Sequence, residues 1–206
     1  MTETGMARDL VRHLTARGES VACAESLTGG LVAAALADVP GASVVLRGGV
    51  VAYAADLKVS LLGVPAALIE RVGTVNRDVA ISLADGVRVR LGATWGLATT
   101  GVAGPGPAEG KPAGTVHVAV AGPSGTATRE LRLNGSRNAV RRDTVRAVLR
   151  LAAEQMGVPE RSAGPSGEPG GTVDLFDGRP GDLGPHAEPL GEERTEGGSH
   201  DHTATT

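Results

Sequence analysis

Cysteine and aromatic residues are scarce in this chain, and each scarcity excludes a class of protein. The 206 residues include one cysteine, Cys23, so neither a disulfide within the chain nor a zinc site of several thiolates is available. Phe, Trp and Tyr occur once each, which leaves no set of rings on which nucleic-acid bases stack. Cys23 lies in a short apolar run, residues 21–24, and is predicted to be a small core residue.

Long hydrophobic runs and a strong net charge are missing as well. No apolar run approaches the roughly 20 residues of a membrane helix, and the first residues lack the basic and apolar regions of a signal peptide. The formal net charge of -3 argues against a nucleic-acid binder. We therefore expect a globular, cytoplasmic protein with no membrane and no nucleic-acid partner.

Composition divides the chain at Pro159. Residues 1–159 carry the hydrophobic periodicity of one domain, whereas Pro, Gly, Ser, Glu and Asp dominate residues 160–206. Such a segment buries too little apolar surface to fold, so a disordered tail is predicted. His200 and His202 in this tail are typical of solvent-exposed residues, and no metal site is predicted.

Helical and strand patterns alternate through residues 1–159. Residues 6–14, 28–37, 55–62, 76–91 and 136–156 are predicted helices, and residues 20–23, 44–53, 93–100, 115–121 and 126–133 are predicted strands. The last two strands are joined at residues 123–125 as a hairpin. This order indicates an α/β protein with a mixed sheet covered by helices on both faces.

Ser26 lies between a predicted strand and a predicted helix. Ligands and catalytic groups collect at such strand ends, and a serine there can attack an acyl carbon while neighbouring N–H groups stabilise the oxyanion. The same segment, Ala24 to Gly30, also fits a simpler interpretation, in which Ser26 or Thr28 caps the helix and Gly29 and Gly30 allow close packing.

Tyr53, the chain's one tyrosine, stands at a predicted strand end, five residues before Lys58. Lysine serves as a general base when burial or a nearby cation lowers its pKa from about 10.4. A solvated lysine on a helix surface is the simpler interpretation. A short-chain dehydrogenase would place Tyr and Lys four residues apart after a Gly-rich nucleotide fingerprint, and the chain has neither feature.

A glycine-rich segment, residues 99–106, follows the third predicted strand. It presents backbone donors without bulky side chains, which suits close contact with a ligand, although a plain surface loop has the same composition. A phosphate loop is excluded for two reasons. The spacing from Gly104 to Gly110-Lys111 is one residue too long, and Pro112 stands where a phosphate loop has the Ser or Thr that binds Mg²⁺.

Arg137 and Arg141 lie four residues apart near the start of the last predicted helix. Two guanidinium groups on one face near a helix N-terminus form a suitable phosphate-binding site. Arg142, Arg146 and Arg150 form another stripe on the same helix, so a solvated basic face also explains many of these arginines.

In order and spacing, these segments resemble the CinA C-terminal family, the nicotinamide-nucleotide amidohydrolases. The resemblance covers about residues 6–156. The matching residues are Ala24-Glu25-Ser26, Thr28-Gly29-Gly30, Gly49-Val50-Val51, Tyr53, Lys58, Leu62-Gly63-Val64, Thr100-Gly101-Val102-Ala103-Gly104-Pro105, Lys111-Pro112, Gly114-Thr115-Val116 and residues 137–142.

The resemblance implies a three-layer α/β/α fold that hydrolyses the carboxamide of nicotinamide mononucleotide, a small-molecule nucleotide substrate, without metal or cofactor. Ser26 is then the nucleophile, Lys58 the base, and Tyr53 a hydrogen-bonding partner of that pair. The resemblance assigns oxyanion and substrate binding to the backbones of residues 28–30 and 100–104, and phosphate binding to the two arginines. The substrate-binding set is Thr28, Gly29, Gly30, Thr100, Gly101, Ala103, Gly104, Arg137 and Arg141.

The chain departs from the family pattern at two places. Ala54-Ala55 replace the common Ser-Asn, and Asn76-Arg77 follow Val75 where relatives have Ser and an acidic or small residue. Both departures are expected to alter the pocket rim without touching the proposed nucleophile. The chain resembles the stand-alone form of the family, a homodimer is a possible assembly, and a non-catalytic nucleotide-binding or regulatory module is the alternative function.

Overall fold

The computed structural model describes residues 2–159, so the predicted tail at 160–206 lies outside the described residues. Within this part the helices are α1 Glu3–Arg17, α2 Leu31–Ala37, α3 Ala55–Leu62, α4 Ala66–Val72, α5 Arg77–Arg90 and α6 Arg137–Met156. The strands are β1 Val21–Glu25, β2 Leu46–Val51, β3 Trp95–Gly101, β4 Thr115–Gly122 and β5 Gly125–Arg132. None of the helices in this range combines the length and hydropathy needed to cross a bilayer.

The five strands form one mixed sheet in the order β2-β1-β3-β4-β5. Strand β1 pairs in parallel with β2 and with β3, whereas β3-β4 and β4-β5 are antiparallel. The prediction of a mixed sheet is therefore confirmed. Because β1, β2 and β3 run in parallel, their carboxyl ends meet at one edge of the sheet, where α/β proteins bind ligands.

Two apolar clusters cover the two faces of the sheet, which gives the three-layer α/β/α architecture. Helices α1, α2 and α6 bury residues such as Leu10 and Leu149 on one face, and α5 buries Leu83 with Val87 on the other. The second face is rich in alanine, so α5 packs close to the sheet. A Cβ at Gly96 of β3 would lie 2.1 Å from the Ala84 carbonyl oxygen.

Some element boundaries differ from the predictions for local reasons. Helix α2 begins at Leu31 because Gly29 and Gly30 have positive φ angles of 59° and 99° and form a turn instead. Strand β2 is shorter than predicted, and a 3-10 turn, Ala42–Val44, precedes it. Helix α4 was not predicted, because its seven residues bury no side chain and so carry no clear periodicity.

Candidate active site

Three chain segments meet at the carboxyl edge of the parallel strands. Ser26 directly follows β1, Tyr53 comes two residues after β2, and the segment 102–114 follows β3. Strand β1 ends at Glu25 rather than at the predicted Cys23, which places Ser26 at the strand end itself. The topology therefore brings the predicted nucleophile, the Tyr53 segment and the glycine-rich loop to one edge.

Lys58 lies beneath this edge with its amino group enclosed. The side chain belongs to α3 and the residue is 1% exposed. Its Nζ donates to the backbone carbonyls of Ala52 at 2.6 Å and Tyr53 at 3.2 Å, and it lies 3.2 Å from Ser26 Oγ. The interpretation of Lys58 as a solvated surface lysine is wrong, because its amine contacts the serine hydroxyl and two carbonyls.

Burial lowers the pKa of Lys58, since the charged ammonium form loses hydration there. The negative charge of Glu109 opposes this effect and raises the pKa of the same group, but burial dominates. A neutral Lys58 amine has two N–H groups, and the carbonyls of Ala52 and Tyr53 accept from both. The lone pair of the amine is then directed toward the remaining neighbour, Ser26 Oγ. This geometry suits the acceptance of the Ser26 proton.

The side chain that binds the N–H groups at the start of α2 is that of Glu25, the last residue of β1, rather than that of Ser26 or Thr28. Its buried carboxylate accepts hydrogen bonds from the N–H groups of Gly30 at 2.9 Å, Val32 at 3.1 Å and Ala33 at 2.9 Å. The Thr28 hydroxyl instead pairs with the Thr99 hydroxyl at 2.8 Å. The capping interpretation is therefore wrong for Ser26, whose hydroxyl remains beside Lys58.

The turn from Ser26 to Gly30 has both used and unused backbone donors. The N–H of Ser26 donates to the Thr99 carbonyl, that of Gly29 to the Ser26 carbonyl, and that of Gly30 to Glu25. Within residues 2–159, the N–H groups of Leu27 and Thr28 have no acceptor. Of the predicted oxyanion donors at 28–30, only Thr28 thus has a free N–H, and sequence reasoning missed Leu27.

Arg141 reaches this turn from α6. Its Nε donates to the carbonyl of Leu27 at 2.9 Å, and its Nη2 donates to the carbonyl of Thr28 at 2.7 Å. The side chain thereby contacts the segment that carries Ser26, the predicted nucleophile. Arg137, one turn earlier on α6, points to a different place.

Arg137 joins the Tyr53 side chain to the glycine-rich loop. Its Nη2 donates to the Tyr53 hydroxyl at 2.7 Å, and its Nη1 donates to the Gly104 carbonyl at 2.9 Å. Tyr53 is 56% exposed, and within the described residues its hydroxyl bonds to Arg137 rather than to Ser26 or Lys58. The Tyr53 carbonyl, not the hydroxyl, contacts Lys58.

An open cavity of about 310 Å³ lies above Ser26. Gly101, Ala103 and Gly104 of the predicted loop line it, together with Tyr53, Thr74 and Arg137. Thr100 is buried behind this wall and donates its hydroxyl to the Thr74 carbonyl at 2.8 Å, so it supports the cavity rather than facing it. Among residues 2–159 no cluster of three or more His, Cys, Asp or Glu side chains fits a metal ion.

Glu109 is a cavity residue that sequence reasoning missed. Its Oε2 accepts from the N–H groups of Thr74 at 2.7 Å and Val75 at 3.1 Å, and its Oε1 accepts from the Thr74 hydroxyl at 2.6 Å. Burial works to raise the pKa of Glu109, but these hydrogen bonds and the charge of Lys111 lower it overall. One feature of the sequence could have identified Glu109: it is the one acidic residue in the segment 102–114, which is rich in Pro, Gly and Ala.

Comparison with known proteins identifies one family along most of the domain. The family model described as the CinA C-terminal domain matches residues 3–156. A CinA-like protein from Frankia casuarinae is 49% identical over 156 residues, covering 75% of this chain and 36% of the relative. A putative competence-damage inducible protein from Desulforamulus reducens is 52% identical over 135 residues, covering 66% and 33%. The chain thus spans about a third of the length of these relatives.

Solved structures agree with the sequence comparison. The competence/damage inducible protein CihA from Agrobacterium tumefaciens is 35% identical, with a TM-score of 0.72 over 75% of this chain and 95% of that one. The competence damage-inducible protein A from Klebsiella pneumoniae is 30% identical, with a TM-score of 0.74 over 76% and 98%. The three-layer fold with its mixed sheet is therefore shared with these structures.

Proposed function

Because the chain belongs to the CinA C-terminal domain family, we propose that it hydrolyses the carboxamide of nicotinamide mononucleotide to nicotinic acid mononucleotide and ammonia. The observation that carries this proposal is the 3.2 Å contact between Ser26 Oγ, which lines the cavity, and the buried Lys58 Nζ. A serine beside an enclosed lysine is a suitable pair for acyl transfer. No metal or cofactor takes part in the proposed reaction.

In the first step Ser26 Oγ attacks the amide carbon while Lys58 takes the hydroxyl proton. The tetrahedral intermediate places its negative charge on the former carbonyl oxygen, where the free N–H groups of Leu27 and Thr28 are suitable donors. The C–N bond then breaks, Lys58 returns the proton to the leaving nitrogen, and ammonia departs. Water attacks the resulting ester in a second cycle and releases the carboxylate and Ser26.

The size of the cavity and one exposed arginine support a nucleotide as the substrate. Its volume of about 310 Å³ is within the range of small-molecule sites. Arg137 lies exposed at the opening and is the proposed phosphate contact. Tyr53 contributes its backbone carbonyl to Lys58 and its hydroxyl to Arg137.

The test measures ammonia and nicotinic acid mononucleotide released from nicotinamide mononucleotide. Ser26→Ala is expected to lower kcat by about 10³-fold or more, because it removes the nucleophile. Ser60→Ala is the matched control, since Ser60 is exposed on α3 and its hydroxyl bonds, among residues 2–159, to the carbonyl of Asp56 alone. Undiminished turnover by Ser26→Ala contradicts the mechanism.

Binding without turnover is the outcome that favours the alternative, a nucleotide-binding or regulatory module. The Desulforamulus reducens relative and the Agrobacterium tumefaciens protein carry names that refer to competence and damage rather than to a reaction. Calorimetry with nicotinamide mononucleotide and unaltered protein separates the two. Tight binding with no ammonia released over hours contradicts the proposed amidase.

A further inference from the structure

Arg141 makes two hydrogen bonds to backbone carbonyls 114 and 113 residues earlier in the chain. Both acceptors, Leu27 and Thr28, belong to the turn that carries Ser26. The planar guanidinium is suited to this task, because Nε and Nη2 donate in a fixed fork that holds two oxygens at once. Lysine has a single nitrogen and offers no such fork.

The geometry of the peptide bond determines what these contacts do. In a planar trans peptide, the C=O of one residue and the N–H of the next point in opposite directions. Arg141 holds the Leu27 carbonyl toward α6, so the Thr28 N–H points away from α6. The Ser26 carbonyl accepts from the Gly29 N–H, which fixes the Leu27 N–H in the same way.

The other donors of the turn are occupied. Glu25 accepts from Gly30 at one end, and Thr99 accepts from Ser26 at the other. Within residues 2–159, Leu27 and Thr28 alone in this turn keep N–H groups without an acceptor. Arg141 holds the peptide plane that carries the Thr28 N–H, and the hydrogen bond from the Gly29 N–H to the Ser26 carbonyl holds the plane that carries the Leu27 N–H.

We propose that Arg141 is a positioning residue that fixes the peptide planes on both sides of Thr28, so that the turn presents preorganised oxyanion donors beside Ser26. The inference rests on the proposed function, because it assumes that Ser26 attacks an acyl carbon. It differs from a phosphate contact, the role that the family resemblance gives to Arg141. Two of the three guanidinium nitrogens are bound to carbonyls here, and Arg137 is the exposed arginine at the cavity opening.

The test compares two substrates that differ by the phosphate alone, nicotinamide mononucleotide and nicotinamide riboside. Arg141→Lys keeps the charge and loses the fork, so kcat/KM is expected to fall by about 10²-fold for both substrates through kcat, the size of effect that small misplacement causes. The control Arg142→Lys alters an exposed neighbour on α6 and is expected to change neither value. A loss confined to the mononucleotide and to KM identifies a phosphate contact and overturns the proposal.

A second measurement separates this inference from the proposed substrate. A fluorophosphonate probe phosphonylates an activated serine without any nucleotide, and mass spectrometry identifies Ser26 as the labelled residue. Slower labelling of Arg141→Lys than of Arg142→Lys supports the positioning role even if the unaltered protein hydrolyses neither nucleotide. Equal labelling rates overturn it.

Circular dichroism and thermal melts show whether Arg141→Lys is folded. Should this variant not fold, Arg141→Gln replaces it, because glutamine carries no charge and its one amide nitrogen, on a shorter side chain, lacks the fork of Nε and Nη2. The same two comparisons then apply. Labelling of folded Arg141→Gln at the rate of Arg142→Lys contradicts the proposal.

Discussion

The floor of the cavity, where Ser26 lies with the buried Lys58 beside it, and the rim, Tyr53 with Arg137 and Glu109, are held in different ways. Backbone carbonyls surround the Lys58 amine, and the buried Glu25 and the Arg141 guanidinium hold the turn behind Ser26. The rim consists of exposed side chains that bond to one another and to loop carbonyls and amides.

This difference assigns separate tasks to the two regions. A group that accepts a proton needs a fixed distance and a lowered pKa, and burial supplies both. A group that admits a charged nucleotide has to remain accessible to solvent, and its contacts are screened and replaceable. Floor substitutions should therefore change kcat, whereas rim substitutions should change KM or the pH profile.

After Ser26→Ala, replacement of the floor lysine should have the largest effect. Lys58→Met keeps the approximate volume of the buried chain but removes the base, so kcat is expected to fall by about 10²- to 10⁴-fold. Ammonia release at saturating nicotinamide mononucleotide measures this. The neighbouring Val59→Ile, half-buried on the same helix, controls for disturbance of α3. Retained turnover in Lys58→Met would remove Lys58 from the mechanism.

Removal of the rim arginine should have the next largest effect. Arg137→Ala deletes the proposed phosphate contact, so KM for nicotinamide mononucleotide is expected to rise about 10- to 100-fold, as for loss of a charged hydrogen bond. The value of kcat should change little. Nicotinamide riboside, which lacks the phosphate, should lose less kcat/KM than the mononucleotide does. An equal loss for both substrates would show that Arg137 acts on the rim's shape instead.

The site residues could be predicted from the sequence better than the contacts that hold them in place. Strand ends and the family resemblance placed Ser26, Lys58 and the glycine-rich loop correctly at one edge of the sheet. The supports of the floor were not predicted. Arg141 reaches carbonyls 114 and 113 residues away, and such contacts of a side chain with a distant backbone leave no periodic pattern in the sequence.

The role of Glu25 at the start of α2 was not predicted either, for the same reason. The residue was visible within the Ala24-Glu25-Ser26 motif, but a carboxylate at the end of a fully buried strand is not expected from composition. The amide of Gly30 and two amides of α2 compensate its burial, and this compensation appears only when the turn at Gly29 and Gly30 is known. The fold was easier to predict, since strand and helix periodicity over whole elements determines it.

Loss of the Glu109 charge should shift the pH profile rather than abolish activity. The Glu109 carboxylate raises the pKa of Lys58, so Glu109→Gln should lower that pKa further. In the proposed mechanism neutral Lys58 is the active form, so kcat/KM is expected to rise with pH through this pKa, and the acidic limb should move to lower pH in the variant. Glutamine can keep both amide contacts through one oxygen and donate to the Thr74 hydroxyl.

Glu70→Gln, an exposed position on α4, tests whether any lost carboxylate produces the same shift. The measurement is kcat/KM across the acidic limb for both variants and the unaltered protein. A limb that moves to higher pH in Glu109→Gln contradicts the electrostatic link between this rim residue and the floor.

The smallest effect is expected for the Tyr53 hydroxyl, which makes Tyr53→Phe the sharpest test of the division between floor and rim. The substitution keeps the backbone carbonyl that accepts from Lys58 and removes one exposed hydrogen bond to Arg137, worth about 0.5–1.5 kcal/mol. We expect KM to rise by no more than about 10-fold and kcat to stay within about 3-fold. A hydroxyl that hydrogen-bonds within the Ser26 and Lys58 pair during the reaction would instead lower kcat by about 10²-fold. Steady-state kinetics therefore decide whether Tyr53 belongs to the rim or moves into the floor when substrate binds.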